Sequence, residues 1–363
     1  MMLNIGIDVH KRRCYATVKG EFRGILMQEK FDRTYAGIRR FIDSVRSQYP
    51  NQQMRAVVES TANYWMKVHD SFEDAGIDTL VAHPIKTKAI AEARLKNDKI
   101  DSATLADLLR ADLVYESYVP DKEHREFRQL VRARMDLVAM RTMNKNKIHA
   151  ILAKYEFKDP ECSVFSDRGT QWLRDEMMQQ DALSWVDKMQ LESLLDFTSS
   201  LDKHIDTFTA KVASLAKEDP RVRLLMTMPG VDYLTALTVM SEIVDVRRFP
   251  TPWKLVAYAG LAPSQRDTGD RVRRGRITKQ GSKWLRYAMC EAANTAIRRD
   301  ERLREFYQRI EARRGLQKAR IATAKEMLVI VWHMLTNNEA YRGTNSEAVQ
   351  RKYKKMEWKA NSA

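Results

Sequence analysis

Four acidic residues stand where chemistry explains them better than solvation. Asp8 lies inside the apolar run Leu3-Asn4-Ile5-Gly6-Ile7-Asp8-Val9. A carboxylate within a buried strand is costly unless it is paired or used. Glu59 closes a second apolar run, Ala56-Val57-Val58, and Asp98 and Asp101 stand three apart where a helix starts. That spacing puts the two aspartates on one helix face. Carboxylates held close raise one another's pKa, and a divalent cation relieves the repulsion. Oxygen-only ligands favour Mg²⁺ or Mn²⁺. Two such ions can clamp the attacking and leaving oxygens of a phosphodiester. Each acid also has a plainer reading: Asp98 and Asp101 as helix caps, Glu59 as a surface acid at a strand end. His10 falls one strand period from Asp8, and it reads as a satisfied imidazole rather than a ligand.

The elements that must position these acids alternate. Leu3–Val9, Tyr15–Val18 and Ile25–Phe31 read as strands so closely spaced that they suggest an antiparallel meander. Ile38, Phe41, Ile42 and Val45 give Tyr35–Tyr49 a helical period. Strand 55–59, helix 63–75, strand 79–82 and helices near 85–95 and 98–112 follow. The order βββαβαβα is that of the ribonuclease-H-like fold, with strands one and four as neighbours. The fold class expected is therefore α/β plus all-α, with a mixed sheet over 1–120.

The remainder reads as helical. Gly (13) and Pro (9) are scarce in 363 residues, which favours long helices. Leu194, Thr198, Leu201, Ile205, Phe208, Val212 and Leu215 follow a 4-3 spacing, a coiled-coil seam in a linker over 121–220. Its partner is either the helix around 124–155 or another subunit, and an ordinary bundle helix fits as well. Residues 221–345 open with a helix, Pro229-Gly230-Val231-Asp232, then a helix. A helix-hairpin-helix of this kind presents N–H groups suited to phosphate, which makes Gly230 a candidate contact. A glycine-punctuated loop is expected over 260–281, basic helices after it, and a polar, frayed tail over 346–363.

The charge is localised. The net charge is +15, and residues 264–325 carry 18 basic and 7 acidic side chains. Such a footprint, interleaved with Trp284, Tyr287 and Tyr307, points to a polyanion. No apolar run approaches the ~20 residues of a membrane span, and Asn4 and Asp8 interrupt any signal-peptide core. Cys14, Cys162 and Cys290 show no paired spacing. A cytoplasmic protein with no membrane partner is expected.

These motifs together resemble the DEDD transposases of the insertion-sequence one-ten family, with the related Piv-type DNA invertases, over most of the chain. Gly6-Ile7-Asp8, Val58-Glu59-Ser60-Thr61 and Asn97-Asp98-Lys99-Ile100-Asp101-Ser102-Ala103 are similar to the family's acidic motifs. Pro229-Gly230-Val231, Gly260-Leu261-Ala262-Pro263 and Ile277-Thr278-Lys279-Gln280-Gly281-Ser282 resemble its second domain. The resemblance implies a RuvC-like domain, a helical linker and a transposase domain. It implies that Asp8, Glu59, Asp98 and Asp101 bind metal, and that donor and target DNA are joined through a covalent protein–DNA link. It further implies a bridge RNA guide and a homodimer that assembles into a tetramer.

One position departs from the family. Its nucleophile is a Ser before a Gly, and here Thr268 precedes Gly269. Three readings stand: Thr268 is the nucleophile, Ser264 or Ser282 replaces it, or the chain binds without joining. Arg271, Arg273, Arg274, Arg276, Lys279, Lys283 and Arg286 are the candidate phosphate contacts around it. A RuvC-like nuclease or junction resolvase without a covalent intermediate is the alternative. A sugar kinase also begins with Gly-Ile-Asp, but so few glycines leave little for its phosphate loops.

Overall fold

The structure is a computed structural model. It describes residues 2–22, 24–60, 62–90, 97–156, 162–179, 183–268 and 271–362, with 265–268 and 271–274 described by their backbone. The chain divides into two compact units, Met1–Val119 and Pro120–Ala363.

In the first unit β1 (Met2–Val9), β2 (Arg13–Lys19) and β3 (Ile25–Asp32) form the antiparallel meander. Then come α1 (Tyr35–Gln48), β4 (Gln53–Glu59), α2 (Trp65–Glu73), β5 (Asp78–Ala82), α3 (Pro84–Ile90) and α4 (Asp98–Arg110). Residues 91–95 of the helix expected near 85–95 lie outside the described residues. The sheet order is β3-β2-β1-β4-β5, with β4 parallel to both β1 and β5.

β1 is central and covered on both faces, so it reads as an apolar run rather than an alternation. Leu3, Ile5, Ile7 and Val9 pack with Ile38, Phe41 and Val45 of α1 and Val68 and Phe72 of α2. Asn4, Gly6 and Asp8 alternate to the other face, where α4 lies. There Leu105 and Leu109 pack on Val57 and Ala82. Gly6 sets how close α4 comes: a Cβ at this position would stand 2.2 Å from the Ser102 carbonyl oxygen and 2.3 Å from the Ala106 nitrogen. Polar contacts hold the helix there. The Thr17 and Ser102 hydroxyls meet at 2.8 Å, and Lys19 donates to Asp107 at 2.7 Å. Arg55 donates to Asn4 Oδ1, to Asp112 and to the Leu109 carbonyl.

The second unit is mostly helical. α5 (Lys122–Leu152), the short α6 (Asp167–Trp172) and α7 (Trp185–Glu218) come first. Lys154 bonds Asp187, Arg141 bonds Asp202 and Arg134 bonds Thr209, so α5 and α7 run antiparallel within one chain. The face α7 buries is Leu191, Leu195, Thr198, Leu201, Ile205, Thr209, Val212 and Ala216. Leu194, Phe208 and Leu215 of the expected seam are half-buried instead. Leu195, Thr209 and Ala216, one residue on, take the inward places.

α8 (Pro220–Met226), α9 (Tyr233–Ile243) and α10 (Pro252–Tyr258) lead to a hairpin of β6 (Pro263–Thr268) and β7 (Arg271–Ile277). The segment expected as a loop therefore contains paired strands. Strand pairing is made by backbone hydrogen bonds, which an arginine-rich side-chain pattern does not signal. α11 (Lys283–Arg299), α12 (Glu301–Arg314), α13 (Leu316–Asn337) and α14 (Ser346–Ala360) complete the unit. The tail expected to fray is α14. Its spaced Val349 and Met356 are buried, and Lys352 donates to the Met226 and Met228 carbonyls at 2.7 and 2.8 Å. No helix among the described residues is long and apolar enough to cross a membrane.

One buried charge ties this unit together. Glu242 on α9 is 0% exposed. Arg132 of α5 donates to both its oxygens at 2.7 and 3.0 Å, and the Ser282 hydroxyl donates to Oε2 at 3.0 Å. Removing Glu242 leaves the Ser282 hydroxyl and the Arg132 guanidinium without their acceptor. Glu242→Ala is expected to destabilise the protein by about 1–3 kcal/mol, with Glu242→Gln less affected. Urea unfolding of the three proteins measures this.

Candidate active site

β1 and β4 run in parallel register with Ile7 opposite Val58. Asp8 and Glu59 are the next residues along each strand, at the same edge of the sheet. Asp98 and Asp101 occupy the first turn of α4. The cap of that helix is Asn97, whose side chain accepts the Lys99 N–H at 2.9 Å. Neither aspartate serves as the cap, so that plain reading does not hold for them.

The carboxylates converge. Asp8 is 5% exposed. His10 Nε2 lies 3.2 Å from Asp8 Oδ2 and 3.3 Å from Asp98 Oδ1, bridging the two acids. One donor atom each from Asp8, His10 and Asp98 fall within 4.8 Å of one another. Burial pushes the Asp8 carboxyl up to about 6; His10 opposes this, and Glu59, Asp98 and Asp101 push it further up by charge. Glu59 and Asp101 thus act on Asp8 without belonging to that tight trio. His10 was legible as a neighbour by strand period. Its bridging role was not, because it depends on where α4 is docked.

The candidates in the second unit divide by what they touch. Thr268 ends β6 opposite Arg271, while Gly269 lies outside the described residues. The side chains of Thr268, Arg271, Arg273 and Arg274 also lie outside the described residues. Ser282 is buried and committed: it donates to Glu242 and accepts the Leu285 N–H at 3.0 Å as the cap of α11. Ser264 is half-buried. Arg286 donates to the Ala259 and Lys279 carbonyls at 2.9 and 3.4 Å, bracing the hairpin's base. Arg276, Lys279 and Lys283 are exposed. At the turn into α9, Asp232 already accepts the Thr235 N–H at 2.8 Å. Gly230 has φ 80° there, and a Cβ would stand 2.2 Å from the Ala292 carbonyl. Its glycine is required for packing against α11.

Two family profiles match this arrangement. One, described as transposase and specific to DEDD enzymes of the IS110 type, covers residues 5–157. The other, the transposase IS116/IS110/IS902 family, covers residues 222–308. The two profiles together support a DEDD transposase of the IS110 family. It is similar to the transposase for insertion sequence element IS1111A of Coxiella burnetii (strain RSA 493 / Nine Mile phase I), 27% identical over 77% of each chain. A protein of Sinorhizobium fredii (strain NBRC 101917 / NGR234) named as a transposase, y4qE, is 26% identical over 80% of this chain and 71% of its own.

A DEDD transposase uses a divalent metal and acts on DNA. The donor set here fits such an ion, because Asp8 is a buried carboxyl held up by burial and by three further carboxylates, a situation that a dication reverses. The first profile spans all four acids, and the second spans the hairpin and α11. Glu242 was not among the residues picked from sequence. Its signal was the same as that of Asp8, an acid inside an apolar helix run.

The raised pKa of Asp8 has a definite sign. The folded carboxyl holds its proton more tightly than the unfolded one, so ionising it costs stability as pH rises through about 6. In metal-free buffer at pH 8, Asp8→Asn is expected to be more stable than wild type, by on the order of 2 kcal/mol. The gap closes toward pH 4. Added divalent metal should raise the melting temperature of wild type and leave Asp8→Asn unmoved; calorimetry across pH reads both. Gly6→Ala should cost roughly 1–3 kcal/mol by overpacking and shrink the metal-induced rise, since α4 must retreat with Asp98.

Proposed function

We propose that this transposase cuts and joins DNA through a covalent link between the Thr268 hydroxyl and a DNA phosphate. The observation that carries the reading is the convergence of Asp8, His10 and Asp98 at the C-terminal edge of β1. The position of Thr268 supports it too: it follows Gly260-Leu261-Ala262-Pro263 and precedes Gly269, as the family's Ser does. The burial of Ser282 counts against that residue as a substitute.

Asp8, Glu59, Asp98 and Asp101 would hold one or two Mg²⁺ or Mn²⁺. Bound there, a divalent ion supplies charge stabilisation for a phosphate under attack. As the Thr268 Oγ–P bond forms, the P–O3′ bond breaks. The hydroxyl proton leaves to water, and the departing 3′ oxygen takes one up in turn. The product is a phosphothreonine link and a free 3′ hydroxyl. Reversal of the same step onto a new strand restores threonine and joins DNA, so the bond energy is conserved and no nucleotide hydrolysis is needed. Arg271, Arg273, Arg274, Arg276, Lys279 and Lys283 would position phosphates. Arg286 and Gly230 contribute by holding the hairpin and α9 in place.

Base reading is assigned to a bridge RNA, with sequence recognition left to its base pairing and not to these side chains, as in other guided systems. The net charge of residues 264–325 supports a nucleic-acid partner. A RuvC-like domain, a kinship with Piv-type invertases and a homodimer that pairs into a tetramer complete the reading. A helix-hairpin-helix element formed by α8 and α9 and a coiled coil formed by α5 and α7 belong to it as well.

The test is a denaturing gel of labelled substrate DNA incubated with protein, guide and Mg²⁺. An adduct is expected for wild type and for Thr268→Ser, and none for Thr268→Ala. Metal-dependent cleavage that never passes through an adduct would instead identify a nuclease or resolvase.

A further inference from the structure

A groove of about 1130 Å³ runs between α5 and the N-terminal half of α11. The geometry points to a binding slot for single-stranded DNA, with unpaired bases stacked inside it. The groove lies wholly within the second unit and is larger than the ~300–1,000 Å³ typical of small-molecule sites, so it can admit more than one base. The inference needs only that the protein acts on DNA, not that Thr268 is the nucleophile.

Three features select this occupant. First, the walls are cationic on both sides. Lys147 stands on α5, with Lys279 and Lys283 facing it, and all three are exposed. None of the three forms an ion pair among the described residues. Asp136 is the one acid among the described lining residues. Second, Trp284 and Tyr287 sit three apart on α11, on one face of the helix and in the groove. Tyr287 is 53% exposed, and Lys283 lies 4.4 Å from the Trp284 ring. Aromatic rings flanked by cations are how proteins hold single strands, each stacked base being worth ~1–3 kcal/mol. Third, the floor is apolar, with Met143 54% exposed at the rim.

A duplex does not satisfy this surface. Its bases are already stacked inside the helix, so it offers phosphates to the lysines and no free base face to the rings. A second copy of the chain does not satisfy it either, because two molecules of net charge +15 meet here through cations that lack acids. A strand opened during cutting and joining offers both the phosphates and the free base faces.

The experiment is fluorescence anisotropy with the full-length chain and a labelled oligo-dT of about ten nucleotides, beside a duplex of equal length and an oligo-U. Tyr287→Ala should weaken oligo-dT binding roughly 5- to 150-fold, the range that one lost stack produces. It should leave duplex affinity within about twofold. Tyr287→Phe should bind like wild type, because stacking needs the ring and not the hydroxyl. The double change Lys147→Ala with Lys283→Ala should make the log–log salt slope for oligo-dT shallower by about 1.4. Melting temperatures of these surface variants should match wild type, which separates lost binding from lost folding. Equal losses for oligo-dT and duplex would overturn the slot, as would unchanged oligo-dT binding in Tyr287→Ala. Preference for oligo-U over oligo-dT would overturn the assignment to DNA. Thr268→Ala should keep full oligo-dT binding while forming no adduct, so the slot and the covalent mechanism fail separately.

Discussion

The contact between Gly6 and the first turns of α4 is the constraint on which the acidic site depends. Asp8 belongs to the sheet, and Asp98 and Asp101 belong to the helix laid over it. They meet only if the helix backbone comes down onto the strand. With 2.2 Å between a would-be Cβ and the Ser102 carbonyl, only glycine permits that approach. Side chains then secure it: Ser102 to Thr17, Lys19 to Asp107, and Arg55 across to the end of α4. The result is a buried carboxyl pushed well above its ordinary range, with an imidazole bridging it to a second acid. The first unit thus spends stability to hold an anionic cluster in place, a common cost of a site prepared for a cation.

The second unit solves a different problem, which is to seat a hairpin on a helical body. Ser282 caps α11 and at the same time donates to the buried Glu242, which is gripped by Arg132 of α5. Arg286, one turn further, holds the carbonyls on either side of the hairpin. The strand carrying Thr268 is therefore anchored at its base through a charge network that reaches α5 and α9. Lys352 of α14 does the corresponding work at the end of α8, where it binds two carbonyls beside the Pro229-Gly230 turn.

Much of this was legible in the residues. Period-two and period-3.6 patterns marked the strands and helices of the first unit, because its elements bury apolar faces strongly. Asp8 was conspicuous because an acid in such a strand is costly. The hairpin was missed because its strands carry arginines rather than an apolar alternation. The helix α14 was missed because two buried residues in a polar stretch are a weak signal. The α7 seam was read one position out in places, since a straight helix at 3.6 residues per turn drifts from a strict heptad. The groove could not be read at all, because it is made by α5 and α11, which lie more than a hundred residues apart.

The sequence by itself determined the kinds of element, the four acids, the locality of the positive charge and the presence of Thr in place of Ser at position 268. These are local facts, set by residue type and spacing. Only the tertiary structure decided that His10 bridges Asp8 and Asp98, that Ser282 and Arg286 are bound into the scaffold, and that Gly230 serves packing. Each of those depends on a partner distant in the chain. A partner of that kind is fixed by how close two backbones can come, and that distance is a property of the packed fold.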